Sequence, residues 1–146
     1  MAELTTDAEL FEVLTRSRTI AVLGAHEAPQ RPAFYVPAYL HQQGYRVLPV
    51  NPAFAGKALW GEPFRAALAE IGEGIDLVDV FRRPDQLMGH LDDLLAMQPR
   101  PRVVWLQSGI RNDAFARALI AAGIDVVQDR CTLAEHRAQG VGRVGR

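Results

Sequence analysis

The sequence predicts a single α/β domain, with about five parallel strands in a doubly wound sheet and helices on both faces. Three observations carry that prediction. Five short runs, at 19–23, 46–50, 76–80, 102–106 and 124–127, are almost continuously apolar, as strands covered on both faces are. Apolar residues at helical spacing fill most of the intervals between them. The segment after every run carries glycine, charge or amide side chains with no evident structural duty.

In chain order, Thr5-Thr6-Asp7 offers caps for a helix whose apolar face is Leu10, Phe11, Val13 and Leu14, expected to pack on the sheet edge or end. The first run, 19–23, leads through a loop to a helix over 33–43; Pro37 could instead cap its opening turn and move the start to 36–38. After the run at 46–50, Phe64, Ala67 and Leu68 predict a helix over 63–70. Leu87, Leu91, Leu94 and Leu95 predict one over 84–97, and Phe115, Leu119 and Ile120 one over 111–122. Gly44 and Gly123 stand where C-caps belong. Strand and helix alternate, so the crossovers are expected to be right-handed. The division is residues 1–17 as a packing helix, 18–136 as the ligand-binding domain, and 137–146 as a mobile tail rich in glycine and arginine.

Composition removes several classes of function. With 16 basic and 17 acidic residues the net charge is -1, which leaves no global positive field to gather nucleic acid. No apolar run approaches a membrane span, and the N-terminus has neither a basic n-region nor an apolar h-region. A cytoplasmic location without membrane contact is expected. The single cysteine, Cys131, cannot form an internal disulfide, which agrees with a reducing compartment. His26, His41, His90 and His136 are scattered, so no metal site is expected. No Gly-Lys-Ser/Thr follows the first run, which disfavours nucleoside triphosphate hydrolysis.

In doubly wound sheets ligands sit outside the carboxyl ends of the strands. The candidate residues are therefore Gly24, Ala25, His26, Arg31 and Pro32 after the first run; Asn51, Pro52 and Lys57 after the second; Phe81 and Arg82 after the third; and Gln107, Ser108 and Gly109 after the fourth. A helix opening at Pro32 has unpaired N–H groups and a positive dipole end, which suits a phosphate. Arg31 adds a guanidinium fork there, the alternative being a solvated loop arginine. No acidic residue occurs between Glu27 and Glu62, whereas Arg31, Arg46 and Lys57 do, and we read that stretch as biased toward an anion. Of Arg82 and Arg83, one is expected at the ligand edge and the other paired with Asp79 or Asp85. Asn51-Pro52 also reads as a plain turn, and Gln107 as a group satisfying the strand end. Cys131 reads as a small buried hydrophobe more readily than as a nucleophile, and no carboxylate is placed to orient His136 beside it.

The loop after the first run has one glycine rather than Gly-x-Gly-x-x-Gly, and the second run ends in Asn51-Pro52 rather than an acid. An acid there would repel an extra ribose phosphate. Coenzyme A, with a pyrophosphate and a 3′-phosphate, fits these residues better than NAD.

Thr19–Gly24, Arg31-Pro32, Val50-Asn51-Pro52, Asp76–Arg83, Val104–Gly109 with Asn112, and Val126–Cys131 resemble the stand-alone CoA-binding domain proteins, which are similar to the CoA-binding domain of the succinyl-CoA synthetase alpha subunit. The resemblance covers roughly residues 15–135. It implies a Rossmann-like fold binding CoA across the strand ends, with the Gly24–Pro32 loop and Asn51-Pro52 near the nucleotide. It further implies that Phe81-Arg82 and Leu106-Gln107 line the rest of the cleft. Family members often carry a hydroxyl two residues after the glycine and another after Arg-Pro; here those positions are His26 and Ala33. The resemblance stops short of the domain that carries the synthetase's phosphorylated histidine, so an acyl-CoA ligase is not expected. The expected function is CoA or acyl-CoA binding without catalysis, with no catalytic residue assigned and a partner enzyme subunit left open. The alternatives are an NAD(P)-linked oxidoreductase or redox sensor on the same fold, and a thioester enzyme using Cys131.

Overall fold

A computed structural model describes residues 1–145. Its elements are α1 (Asp7–Arg16), β1 (Thr19–Leu23), α2 (Pro32–Gln42), β2 (Arg46–Val50), β3 (Ala58–Leu59), β4 (Glu62–Pro63), β5 (Leu77–Val80), α3 (Leu91–Ala96), β6 (Val103–Leu106), α4 (Asp113–Ala121), β7 (Asp125–Val127) and α5 (Thr132–Ala138). The five long strands form one parallel sheet in the order β2-β1-β5-β6-β7. The chain steps from β1 outward to β2 and then returns to the other side of β1. The order therefore reverses between β1 and β5, which is where doubly wound sheets open a crevice.

Alternation along each strand explains the apolar runs. In β1, Ala21 and Leu23 face a core shared with Leu87, Leu94, Phe115 and Leu119, while Ile20 and Val22 face one shared with Leu10, Leu14, Leu40 and Tyr45. Both faces are covered, so neither can be polar. All five predicted strands are present, three of them starting one residue later than the apolar run does.

Four expectations are corrected. First, α1 packs on a sheet face beside α5 rather than on an edge or end, with Leu10 and Leu14 fully buried. A capping box starts it: Glu9 N–H donates to Thr6 Oγ1, and Thr6 N–H donates to Glu9 Oε1. The residues before it run beside β7 instead, where Leu4 N–H donates to the Val126 carbonyl at 2.7 Å and covers that sheet edge.

Second, α2 begins at Pro32, so Pro37 lies inside the helix rather than capping its start. Proline has no N–H for the carbonyl four residues back, which is that of Ala33. That carbonyl instead accepts the His26 N–H at 3.3 Å and ties the loop after β1 to the helix.

Third, residues 63–70 form no α-helix. They hold the last residue of β4, which closes a hairpin turned by Trp60 and Gly61 at φ 55° and 77°, and one 3-10 turn, Leu68–Glu70. Phe64 and Leu68 mimic helical spacing but bury on opposite sides of the sheet, which one helix face cannot do. Similarly, 84–97 opens as 3-10 helix through Pro84–His90, with Gly89 within it, and becomes α-helical only at Leu91.

Fourth, the last segment does not hang free. α5 runs to Ala138, and beyond it Val144 is buried and donates its N–H to the Gln43 carbonyl at 2.8 Å. Arg146, the end of the expected tail, lies outside the described residues.

Candidate functional site

The site is built around Gly24, which ends β1 at φ +89°. A Cβ at this position would stand 2.6 Å from the Phe81 carbonyl oxygen and 3.1 Å from Arg82 Cδ. Only glycine allows the β1 loop to lie this close to the loop after β5.

The loop from Ala25 to Arg31 is held by its own polar groups. Asn51 donates from Nδ2 to the Ala25 carbonyl and accepts Ala53 N–H on Oδ1, both at 3.0 Å, so it caps the turn after β2 while tying β2 to β1. His26 accepts Ala28 N–H on Nδ1 at 3.0 Å, and its ring meets Phe54 edge-on at 4.8 Å. Ala25 is wholly buried and contributes core rather than surface. Arg31 occupies the N-cap of α2 without capping it through its side chain, is exposed, and has no ion-pair partner among the described residues.

Between α2, β5, β6 and α5 lies a cleft of about 580 Å³ at the carboxyl edge of the sheet. Arg31, Pro32, Phe81 and Arg82 line it, as do Gln107, Ser108 and Gly109. Arg31 and Pro32 after β1 thus converge with the residues named after β5 and β6. A smaller cavity of about 250 Å³ opens on the β2 side, lined by Gly24, Asn51, Pro52 and His90, and Arg82 forms part of both walls. Arg82 donates from Nε to His90 Nε2 at 3.3 Å. Burial, then the Arg82 charge, holds His90 below its ordinary pKa, which keeps that nitrogen free to accept. Arg83 pairs with Asp85 at 3.7 Å and also lines the main cleft, so the two arginines differ in their partners but not in the edge they reach.

Ala25, His26 and Lys57 line neither cavity. Lys57 pairs with Glu27 at 2.8 Å and so offsets the one carboxylate of the loop. Arg46, counted toward the anion bias, sits at the amino end of β2 and pairs with Glu62 and Glu73. The stretch between Glu27 and Glu62 is therefore not uniformly cationic toward the cleft.

Beneath the cleft, Asp79 of β5 is fully buried and joined to Gln107 and Thr132. Burial raises its carboxyl to about 7 against the pull of those two hydrogen bonds. The arginine partner considered for Asp79 is not the one it has. The sequence reading also missed Tyr35, Ile110 and Leu133 as cleft walls, and it placed no helix at α5, whose seven residues give too short a pattern. Cys131 lines the cleft, whereas His136 turns Nδ1 to Tyr39 Oη at 2.8 Å. Among the described residues no three His, Cys, Asp or Glu side chains converge as a metal site would require, and no helix is long and apolar enough to cross a membrane.

A five-stranded parallel sheet with a cleft at its switch point defines the Rossmann-like class of α/β domain. Within that class the chain belongs to the CoA binding domain family, whose profile matches residues 18–137. The Bacillus subtilis (strain 168) protein YneT is 36% identical over 129 residues, which span 88% of this chain and 93% of YneT. The structure of cell-free ID.343 from Thermus thermophilus superposes with a TM-score of 0.88 at 54% identity, covering 92% of this chain and 99% of that one. The acetyl-coenzyme A synthetase 1 of Ca. Korarchaeum cryptofilum, in complex with phosphate and ADP, overlaps over 80% of this chain and 26% of its own. Its TM-score is 0.67 at 19% identity, a likeness of fold.

Proposed function

We propose that this chain binds coenzyme A or an acyl-CoA at the carboxyl edge of the sheet without transforming it. The observation that carries the reading is the pairing of a switch-point cleft with two guanidinium groups, Arg31 and Arg82, neither of them in an ion pair among the described residues. The cleft fits the ligand chemically. Its phosphates would meet the first N–H groups of α2 and the fork of Arg31. Phe81, Ile110 and Leu133 offer an apolar wall for the pantetheine arm. The absence of an acid after β2 leaves Asn51-Pro52 tolerant of the extra ribose phosphate.

Two features support binding without turnover. His136 faces Tyr39 rather than activating Cys131, and the buried carboxylate of Asp79 is taken up by Gln107 and Thr132. The protein would draw its ligand from the cytoplasmic pool, with or without a partner enzyme. Calorimetric titration tests the reading. CoA should bind at sub-millimolar concentration and more tightly than dephospho-CoA, because the latter lacks one phosphate. If NADH bound tightly and CoA did not compete, the reading would fail in favour of a redox module.

A further inference from the structure

Gln107 ends β6 with a carboxamide that offers one NH2 group and one carbonyl oxygen. The NH2 side is engaged twice: Nε2 donates to Asp79 Oδ1 and, at 2.9 Å, to Thr132 Oγ1. Thr132 in turn donates its hydroxyl hydrogen to Asp79 Oδ2 at 2.9 Å. These three side chains close a triangle in which every hydrogen points toward the carboxylate or toward the hydroxyl that serves it. All are nine-tenths or more buried, Asp79 and Thr132 completely.

A carboxylate accepts hydrogen bonds and donates none. Turning the carboxamide over would set Gln107 Oε1 against Asp79 Oδ1 with water excluded, and an unpaired acceptor facing a buried charge is strongly unfavourable. While Asp79 is ionised, this orientation of the carboxamide is the one that pairs both carboxylate oxygens. Oε1 is therefore directed away from the triangle. No described residue donates to it, it is not sealed from solvent, and Gln107 lines the main cleft.

We propose that Gln107 Oε1 is a fixed acceptor for an N–H donor of the bound ligand, with Asp79 and Thr132 as positioning residues that hold it outward. On the CoA reading, on which this inference rests, that donor is an amide N–H of the pantetheine arm. The triangle thereby gives a largely apolar wall one directional contact. It also gives the protein a means of telling a pantetheine-bearing ligand from its nucleotide half alone.

The test titrates wild type and Gln107→Met with CoA, with two CoA analogues in which one pantetheine amide is replaced by an ester, and with the nucleotide half of CoA lacking the arm. One ester analogue should bind wild type about three- to tenfold more weakly than CoA, the loss of one neutral hydrogen bond. Gln107→Met should show that loss with CoA and no further loss with the same ester, while the nucleotide half binds both proteins alike. A measurement on wild type stands if the variant does not fold: the Gln107 side-chain carbonyl carbon, followed by NMR, should move downfield on adding CoA and not on adding the ester. If both esters bind wild type as tightly as CoA, if the two losses multiply, or if the carbon does not move, the proposal is overturned. Failure of CoA itself to bind would instead overturn the CoA reading beneath it.

Discussion

The two ends of the parallel sheet carry similar side chains and put them to opposite use. At the amino edge Arg46 is held by carboxylates, and its charged neighbours are held by the backbone. Arg46 joins Glu62 and Glu73, Asp76 accepts the N–H groups of Arg18 and Thr19, and Arg18 donates to the Ser17 carbonyl at 2.8 Å. At the carboxyl edge Arg31 has no ion-pair partner among the described residues and Arg82 has only a histidine, while a carboxylate lies buried below them with two neutral donors. An arginine therefore says little by its presence. What matters is whether the fold supplies a carboxylate within reach, and here it does so for Arg46 and not for Arg31 or Arg82.

The largest effect should come from closing the approach at Gly24. Gly24→Ala adds a Cβ at φ +89°, 2.6 Å from the Phe81 carbonyl oxygen, and should cost about 3 kcal/mol of stability, read from denaturant unfolding. Gly56→Ala provides the contrast. It shares a positive φ but meets nothing within 4 Å, so it should cost only about 1 kcal/mol.

Next come the free guanidinium groups. Arg31→Ala and Arg82→Ala should each weaken CoA binding by about 1.5–3 kcal/mol while moving stability by less than about 0.5 kcal/mol. Arg46→Ala should reverse that pattern: CoA affinity unchanged, and a loss of under about 1 kcal/mol in stability because its ion pairs are partly solvated. Equal effects of Arg31 and Arg46 on binding would remove the distinction between the two edges.

Asp79 sharpens the comparison through pH. Its folded carboxyl, at about 7, lies above the ordinary value of 3.8, so the folded state holds the proton more tightly than the unfolded chain. The stability contributed by that proton is complete below about 4 and is lost as pH rises through about 7. Unfolding midpoints should therefore fall across that window, and Asp79→Asn should flatten the fall. A profile that is the same in both proteins would mean that another group sets it.

Much of the architecture was legible because its cause is local. A strand buried on both faces has to be apolar throughout, and the five runs are. What was not legible depended on position in three dimensions. Phe64 and Leu68 keep helical spacing while burying on opposite sides of the sheet, a difference that periodicity does not record. Pro37 reads as a helix start, but its missing N–H frees the Ala33 carbonyl for His26, a partner far back in the loop. In the site, Arg31 and Pro32 after β1 and the residues named after β5 and β6 could be read from one rule about strand ends, and they share a cleft. Arg46 and Lys57 could not be judged, because their partners Glu62, Glu73 and Glu27 come near only once the edge hairpin folds. Asp79 was named from the sequence only as a possible partner for Arg82 or Arg83. Its partners Gln107 and Thr132 follow β6 and β7, and only the sheet order brings them beneath it.

The most direct test of the difference between the two edges is a crystal structure of the chain grown with CoA. The phosphates should lie beside the Gly24–Pro32 loop, within hydrogen-bonding reach of Arg31 and the first turn of α2. Phosphates found instead beside Arg46 at the amino edge, or a cleft filled by protein side chains with CoA bound elsewhere, would contradict the account.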